Sequence, residues 1–204
     1  MKNLKIGMAL VFCVGMGLLS CTSNTSKNSN VDTTVNTPID SGSNINANDN
    51  TDFELTPGVA AGKTKINEDT EEVFKVLGKP DSSDAAMQKM VAFWFNEQDD
   101  IRHSTSIYAV RDTGEMPKAR VQQIRVTSPK FKTQSGIGVS SSLDEIKKAY
   151  SIHKIQSFKT VNNQLDVWDS NDGIAFEIGN EKECTAVIIH KKGEELKGTY
   201  LPLR

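Results

Sequence analysis

The sequence predicts an α+β fold in which a short helix and an antiparallel sheet of three to four strands occur twice in tandem. Three observations support this prediction. A Phe, a Gly five residues later and a following β-branched residue recur at 53–59 and 131–137. A helix signal follows each copy, and a tryptophan then lies 21 or 22 residues beyond an apolar helix position. The predicted repeats are residues 53–128 and residues 129–204, the second including a C-terminal tail.

The composition allows a folded core and favours no charged partner. Of the 204 residues, 37% are hydrophobic, and the formal net charge is −2. A weakly acidic balance provides no electrostatic attraction to nucleic acid or to an anionic membrane surface. Neither nucleic acid nor a nucleotide is therefore an expected partner.

The N-terminus carries the features of an export signal over residues 1–20. Lys2 and Lys5 precede an uncharged stretch of 14 residues, from 6 to 19, which fits a signal peptide better than a membrane-spanning helix. The stretch ends in Leu-Leu-Ser-Cys at 18–21, which resembles the lipobox of bacterial lipoproteins. That resemblance implies that Cys21 is lipidated and becomes the first residue of the mature chain. Several acyl chains then provide a lasting membrane anchor.

Residues 21–52 are predicted to form a disordered tether after the lipidated cysteine. Asn, Ser, Thr and Asp dominate this segment, and it contains almost nothing that could be buried in a core. Such a composition cannot offset the entropy lost on ordering the chain. The tether would hold the folded part clear of the membrane surface.

Two short helices are predicted from capping signals and apolar spacing. The first spans 67–77 and ends at Gly78, and the second spans 142–150. Ser142 and Glu145 have the spacing of a capping box, in which each side chain binds the other residue's backbone N–H. Acidic residues in both first turns favour helix initiation, because they interact with the positive end of the helix dipole.

Strand-like runs follow each helix and are joined by turns rather than by crossover helices, which is typical of an α+β fold. The runs are 90–95, 107–110 and 121–126 in the first copy, and 165–168, 174–178 and 185–190 in the second. Segments 96–103 and 111–118 are interpreted as insertions in the first copy.

The two tryptophans are the candidate binding residues. Alternation predicts a face packed beneath the helices, made of Val91, Phe93 and Phe95 in one copy and Leu165, Val167, Ile174, Phe176 and Ile178 in the other. Trp94 and Trp168 then lie on the opposite, open face. Exposed tryptophans are frequent anchors for protein partners, so this pair is a candidate binding surface.

A family resemblance supports both the predicted fold and a binding role. Gly62-x-Thr64, a helix with Glu71-Glu72-Val73, and the segment 77–81, Leu-Gly-Lys-Pro-Asp, resemble the small envelope lipoprotein domain of BamE (the SmpA/OmlA type). The doubled form resembles the β-lactamase inhibitory protein, in which two such units build one sheet. The resemblance implies a protein that binds other proteins without catalysis. The second copy departs from the pattern, with Ser151 in place of the Leu-Gly-x-Pro stop.

Other motifs do not indicate a catalytic, cofactor or metal site. The segment 58–64 has three residues between its glycines, whereas a phosphate-binding P-loop requires four. His103, His153 and His190 lack zinc-ligand spacing and are expected to be solvated. Cys184 lies in a strand, where it is expected to be a half-buried structural thiol. No catalytic residue, cofactor or metal ligand is therefore predicted.

The sequence favours a membrane-anchored lipoprotein of the bacterial cell envelope that acts as a non-catalytic protein-binding or assembly module. Two alternatives stay open. An envelope hydrolase or carbohydrate-binding protein would place convergent carboxylates, or a histidine and a nucleophile, in a cleft between the repeats. A small-ligand sensor would have a deep apolar pocket between helix and sheet.

Overall fold

The structure is a computed structural model that describes residues 49–98, 100–159 and 164–196. All described elements belong to one compact unit, Asn46–Arg204. The predicted signal peptide, Cys21 and nearly all of the predicted tether lie outside the described residues.

A 3₁₀ helix at Asp49–Phe53 precedes twelve strands and two α-helices. The helices are α1 (Thr70–Leu77) and α2 (Leu143–Ala149). The strands are β1 (Glu54–Thr56), β2 (Ala60–Ala61), β3 (Thr64–Lys65), β4 (Ser82–Ala86), β5 (Lys89–Gln98), β6 (Ile101–Arg111), β7 (Ala119–Val126), β8 (Lys132–Thr133), β9 (His153–Lys159), β10 (Gln164–Ser170), β11 (Ile174–Ile178) and β12 (Cys184–His190).

Eight strands form one continuous antiparallel sheet in the order β4-β5-β6-β7-β12-β11-β10-β9. Its centre is the pairing of β7 with β12, where Val126 lies opposite Val187 and Ile124 opposite Ile189. A small second sheet has the order β3-β2-β1-β8, and its β1–β8 pair is parallel.

The predicted α+β fold of two tandem helix-and-sheet units is wrong. The described chain is mostly β, with two short helices, one eight-stranded antiparallel sheet and a second, four-stranded sheet. Backbone hydrogen bonding explains the difference, because polar segments such as β4 and β9 become strands by pairing with β5 and β10 and so enlarge the sheet. The predicted insertion 96–103 is also part of the sheet, since it extends β5 and β6 to the turn that joins them.

The two helix signals are confirmed, although the first helix begins later than predicted. Asn67 has a φ of 65°, outside the helical region, and Asp69 caps α1 by accepting the Glu71 N–H at 3.0 Å. In α2 both halves of the predicted capping box are present, with Ser142 and Glu145 as its members. Capping depends on neighbours in sequence, which is why these signals were visible without the fold.

The sheet has two apolar faces. The first, here called the helix face, packs against α1, α2 and the small sheet, and its fully buried side chains include Ile107, Val121, Ile124, Val126, Ile174, Phe176, Val187 and Ile189. The second, here called the opposite face, carries a separate cluster of Val91, Tyr108, Val167, Ala175, Ile188 and Leu196. Leu196 belongs to the segment after β12, so the chain returns over this face.

Candidate functional site

Trp94 and Trp168 lie on the helix face, and both side chains are half-buried. The Trp94 Nε1–H donates to the Gly78 carbonyl oxygen at 3.1 Å, and its ring centroid lies 5.9 Å from that of Phe74 in α1. The Lys147 ammonium of α2 lies 4.7 Å from the centroid of the Trp168 ring. The tryptophans therefore hold the two helices on the sheet.

The predicted assignment of the two faces is wrong. Ala92 and Trp94 face the helices, whereas Val91, Phe93 and Val167 lie on the opposite face. Both faces are apolar, so alternation separates the two sets of residues without showing which set the helices cover. Trp168 lies opposite Phe176 in the register of β10 and β11, so these two share a face, contrary to the prediction. The pairing of β9 with β10 also shifts between Val167 and Trp168.

The other candidate residues are also placed by the structure. Cys184 is buried, its thiol donates to the Ala186 carbonyl oxygen at 3.2 Å, and burial raises its pKa to about 12. It is a protonated structural thiol at neutral pH. His153 is exposed, while His190 is buried at 3% exposure and contacts Asp169, so the prediction of a solvated His190 is wrong. Within the described ranges, no group of three potential ligands could hold a metal ion.

Hydrogen bonds and ion pairs lower the pKa values of several carboxyl groups. The Lys118 ammonium, 2.7 Å from the carboxylate, and the Glu71 N–H lower the pKa of Asp69. Hydrogen bonds also lower the pKa of Asp112, principally from the Lys118 backbone, and that of Asp166, principally from the Lys154 side chain. Carboxyl groups of this kind stay ionised and serve as structural acceptors rather than as proton donors near neutral pH.

The most distinctive surface is the hairpin of β4 and β5, at one end of the eight-stranded sheet. All five residues of β4, Ser82-Ser83-Asp84-Ala85-Ala86, are exposed. Among the described residues, no strand pairs with the outer side of β4. Asp81 fixes the start of the strand, since its N–H donates to the Phe93 carbonyl at 2.9 Å and its carboxylate accepts the Phe95 N–H at 2.7 Å. The edge is therefore held in an extended conformation and open to pairing.

The turn between β4 and β5 adopts a conformation that its residues disfavour. Ala86 pairs with Lys89, so Met87 and Gln88 form a two-residue loop with φ angles of 50° and 65°. Two positive φ values define a type I′ turn, which normally contains Asn-Gly. Long side chains in this region cost about 1 kcal/mol or more each. Met87 is also 93% exposed, so an apolar side chain projects into solvent from a strained tip.

The register indicates which groups of β4 face outward. A two-residue turn is closed by a hydrogen-bonded pair, here Ala86 and Lys89, and such pairs alternate along an antiparallel ladder. Ser82, Asp84 and Ala86 therefore bond to β5. The N–H and C=O groups of Ser83 and Ala85 point away from the sheet, where an added strand would meet them.

β9, the strand at the other end of the large sheet, carries more positive charge than β4. β9 carries His153, Lys154 and Lys159 along its seven residues, and Lys154 pairs with Asp166 of β10 at 2.9 Å. Lysines on an edge strand discourage pairing with another chain. β4 has one charged residue, Asp84, and no lysine. Of the two ends of the large sheet, β4 is the one suited to accept a strand.

A shallow apolar hollow of about 220 Å³ lies beside the β4 edge. Its lining includes Ala86, Met87 and Val91. On the same face, the stacked rings of Phe93 and Phe95 have centroids 6.2 Å apart and are half-buried. An added strand would thus find backbone partners along β4 and an apolar recess for one side chain. The sequence could not identify this site, because Ser-Ser-Asp-Ala-Ala has low strand propensity.

No helix in the described part of the chain is long and apolar enough to cross a membrane. Comparisons with known proteins add little. No family model matches the chain, and no curated protein matches it. Among solved structures, it is similar to the 1.5 Å crystal structure of an extracellular protein containing an SCP domain from Bacillus anthracis strain Ames. The identity is 14% and the TM-score 0.38, covering 63% of this chain and 44% of that one. A likeness this weak supports no argument about function.

Proposed function

We propose that the protein is a lipid-anchored component of the bacterial cell envelope that binds another envelope protein without catalysis. Binding occurs by strand addition, in which an extended segment of the partner pairs with β4. The observation that supports this proposal is the open, lysine-free edge of β4, which lies next to a strained turn with an exposed methionine. Main-chain hydrogen bonds supply affinity in this mode, and pockets for alternate side chains supply specificity.

The chemistry of the edge describes the partner segment. It is an extended stretch that contains an apolar residue for the recess at Met87 and Val91. Asp84 favours a basic or neutral residue opposite it, since like charges directly across a strand pair are destabilising. The N-terminal lipid at Cys21 would keep the domain at the membrane, where an envelope partner is concentrated.

Replacement of Ala85 by proline is expected to abolish partner binding while leaving the fold intact. Proline removes an N–H that points outward and is not used in the β4–β5 ladder. A photo-crosslinking amino acid at Ser82 in living cells should form an adduct in the otherwise wild-type chain, and the adduct should be lost with Ala85→Pro. Mass spectrometry of the adduct should identify an extended segment of another envelope protein.

Three controls make this test specific. The Ser83→Ala variant keeps its outward N–H and should keep the adduct, and a crosslinker at His153 on β9 should not form it. Substituting Met87→Asn together with Gln88→Gly should relieve the turn and stabilise the fold by about 1 kcal/mol, yet weaken binding by removing the methionine. An adduct that survives Ala85→Pro, or one that joins two copies of this chain, would contradict the proposal.

The lipid anchor requires its own measurement. Cells fed an alkyne-bearing fatty acid should label the wild-type protein, because the acyl chains would be attached at the N-terminal cysteine after processing. Cys21→Ser should abolish the label, whereas Cys184→Ala should keep it. An unlabelled wild-type protein would contradict the lipid anchor.

A further inference from the structure

The side chains that β4 presents on the opposite face of the sheet are small and exposed. In the β4–β5 register, Ser82 is paired with Phe93, Asp84 with Val91, and Ala86 with Lys89. Neighbouring strands lie about 4.8 Å apart, so a strand added to β4 would lie about 10 Å from β5. Two large side chains can span that distance when only a serine lies between them. A segment bound at β4 therefore meets side chains of β5 as well as those of β4.

An aromatic stack lies beside Ser82. The rings of Phe93 and Phe95 are nearly parallel, with an interplanar angle of 14°, and both side chains are half-buried. The guanidinium carbon of Arg102 lies 3.7 Å from the centroid of the Phe95 ring, so Arg102 covers that ring. Phe93 is the ring next to the small side chain of Ser82. A large apolar side chain beside Ser82 would remove more of this aromatic surface from water.

The charges along β4 differ between the middle of the strand and the turn. Among the described residues, none forms an ion pair with Asp84 or with Lys89. An ammonium or guanidinium group beside Asp84 would therefore find an unpaired carboxylate. Lys89 would repel a basic residue beside Ala86, and the hollow lined by Met87 and Val91 favours an apolar one there. The three positions beside Ala86, Asp84 and Ser82 thus differ in the side chain that they favour.

We propose that the partner segment runs antiparallel to β4 and carries three such residues at alternate positions. In chain order they are an apolar residue, a lysine or arginine, and an aromatic or large aliphatic residue. This inference rests on the strand addition proposed above. The two residues between them exchange main-chain hydrogen bonds with Ser83 and Ala85. The three selected residues then form the non-hydrogen-bonded pairs of the ladder, in which facing side chains are closest. Antiparallel pairing matches every other pair of the large sheet and is slightly more stable per residue.

Fluorescence anisotropy with the full-length lipidated protein in detergent micelles tests this pattern. The probe is the labelled peptide acetyl-Ser-Leu-Thr-Lys-Thr-Phe-Ser-amide. Replacing its Lys with Glu places like charges together, and replacing its Phe with Ser removes the apolar contact, so each change should weaken binding about tenfold. A nitroxide at the peptide N-terminus should broaden the amide resonances of Met87 and Gln88 rather than that of Ser82, because the segment starts at the turn.

Substitutions at two exposed residues of β4 test the selection without disturbing the core. Asp84→Lys should reverse the charge preference, so that the Glu peptide binds more tightly than the Lys peptide. Ser82→Leu fills the space beside Phe93 and should remove most of the advantage of Phe over Ser in the peptide. Lys159→Glu, on β9, should leave every affinity unchanged.

The outcomes separate this pattern from strand addition itself. If all the peptides bind equally and Ala85→Pro abolishes their binding, strand addition stands and the pattern is overturned. The pattern is also overturned if no peptide binds, if Asp84→Lys keeps the preference for Lys, or if the nitroxide broadens the Ser82 amide instead. Peptide binding that survives Ala85→Pro would overturn both proposals.

Discussion

Replacing Glu177 with alanine is expected to lower the free energy of unfolding by about 3–5 kcal/mol. Glu177 accepts two hydrogen bonds from the Arg125 guanidinium, from Nε at 2.9 Å and from Nη2 at 2.8 Å. The side chains are only 3% and 8% exposed. Glu177 belongs to β11 and Arg125 to β7, and their side chains meet above β12, the strand between them. Ala186 of β12 lies opposite Glu177, and its small side chain leaves room for this contact. Removing the carboxylate would leave a guanidinium buried without this partner.

Urea unfolding at neutral pH measures this effect, and two further variants interpret it. The double substitution Arg125→Met with Glu177→Leu should recover most of the loss, because the penalty arises from a buried guanidinium that has lost its carboxylate rather than from the absence of the pair. Glu72→Ala, which breaks an exposed pair with Lys75, should leave the midpoint unchanged. If the Glu177→Ala variant had the same urea midpoint as the wild-type protein, water would have to reach Arg125 on the opposite face of the sheet.

Replacing Phe176 with alanine should also cost about 3–5 kcal/mol, through a cavity in the core of the helix face. Phe176 is fully buried in β11, and its ring centroid lies 5.7 Å from that of Tyr150, which caps α2. It also lies opposite Trp168 in the β10–β11 register. The cavity would therefore loosen the attachment of α2 as well as the sheet. Denaturant unfolding gives the loss of stability, and near-UV circular dichroism reports the packing of the neighbouring aromatic rings.

Two matched variants control for the size and position of the change. Phe176→Leu keeps most of the volume and should lose less than half as much stability. Phe53→Ala removes the same side chain at a position that is 38% exposed and should cost much less. If Phe176→Ala and Phe53→Ala were equally stable, Phe176 would not be part of a close-packed core.

Features set by neighbours in sequence were predictable. The caps at Asp69 and Ser142 involve residues two or three positions away, so both helices were located before the fold was known. The strongly apolar strands, such as β7 and β12, were also located, because their side chains bury apolar surface in any arrangement. The strands β4 and β9 were missed. Their polar residues adopt strand geometry only because β5 and β10 provide hydrogen-bonding partners.

The candidate sites required the tertiary structure. The tryptophans were correctly located in strands but assigned to the wrong face, since both faces of this sheet are apolar. His190 gave no sign of its environment, because Asp169, which it contacts, lies 21 residues earlier in the chain. Met87 and Gln88 resemble ordinary strand residues in the sequence. Their positive φ angles arise only because β4 and β5 pair around them.

The sequence by itself located both helices and the apolar strands, and it carries the predicted export and lipidation signals and the low-complexity segment at 21–52. Each of these depends on composition or on contacts a few residues long. Only the tertiary structure decided the order of the strands in the large sheet, which face the helices cover and which edge stays open. These properties depend on pairings between distant strands, and the free energy of such pairings belongs to the assembled sheet rather than to any one segment.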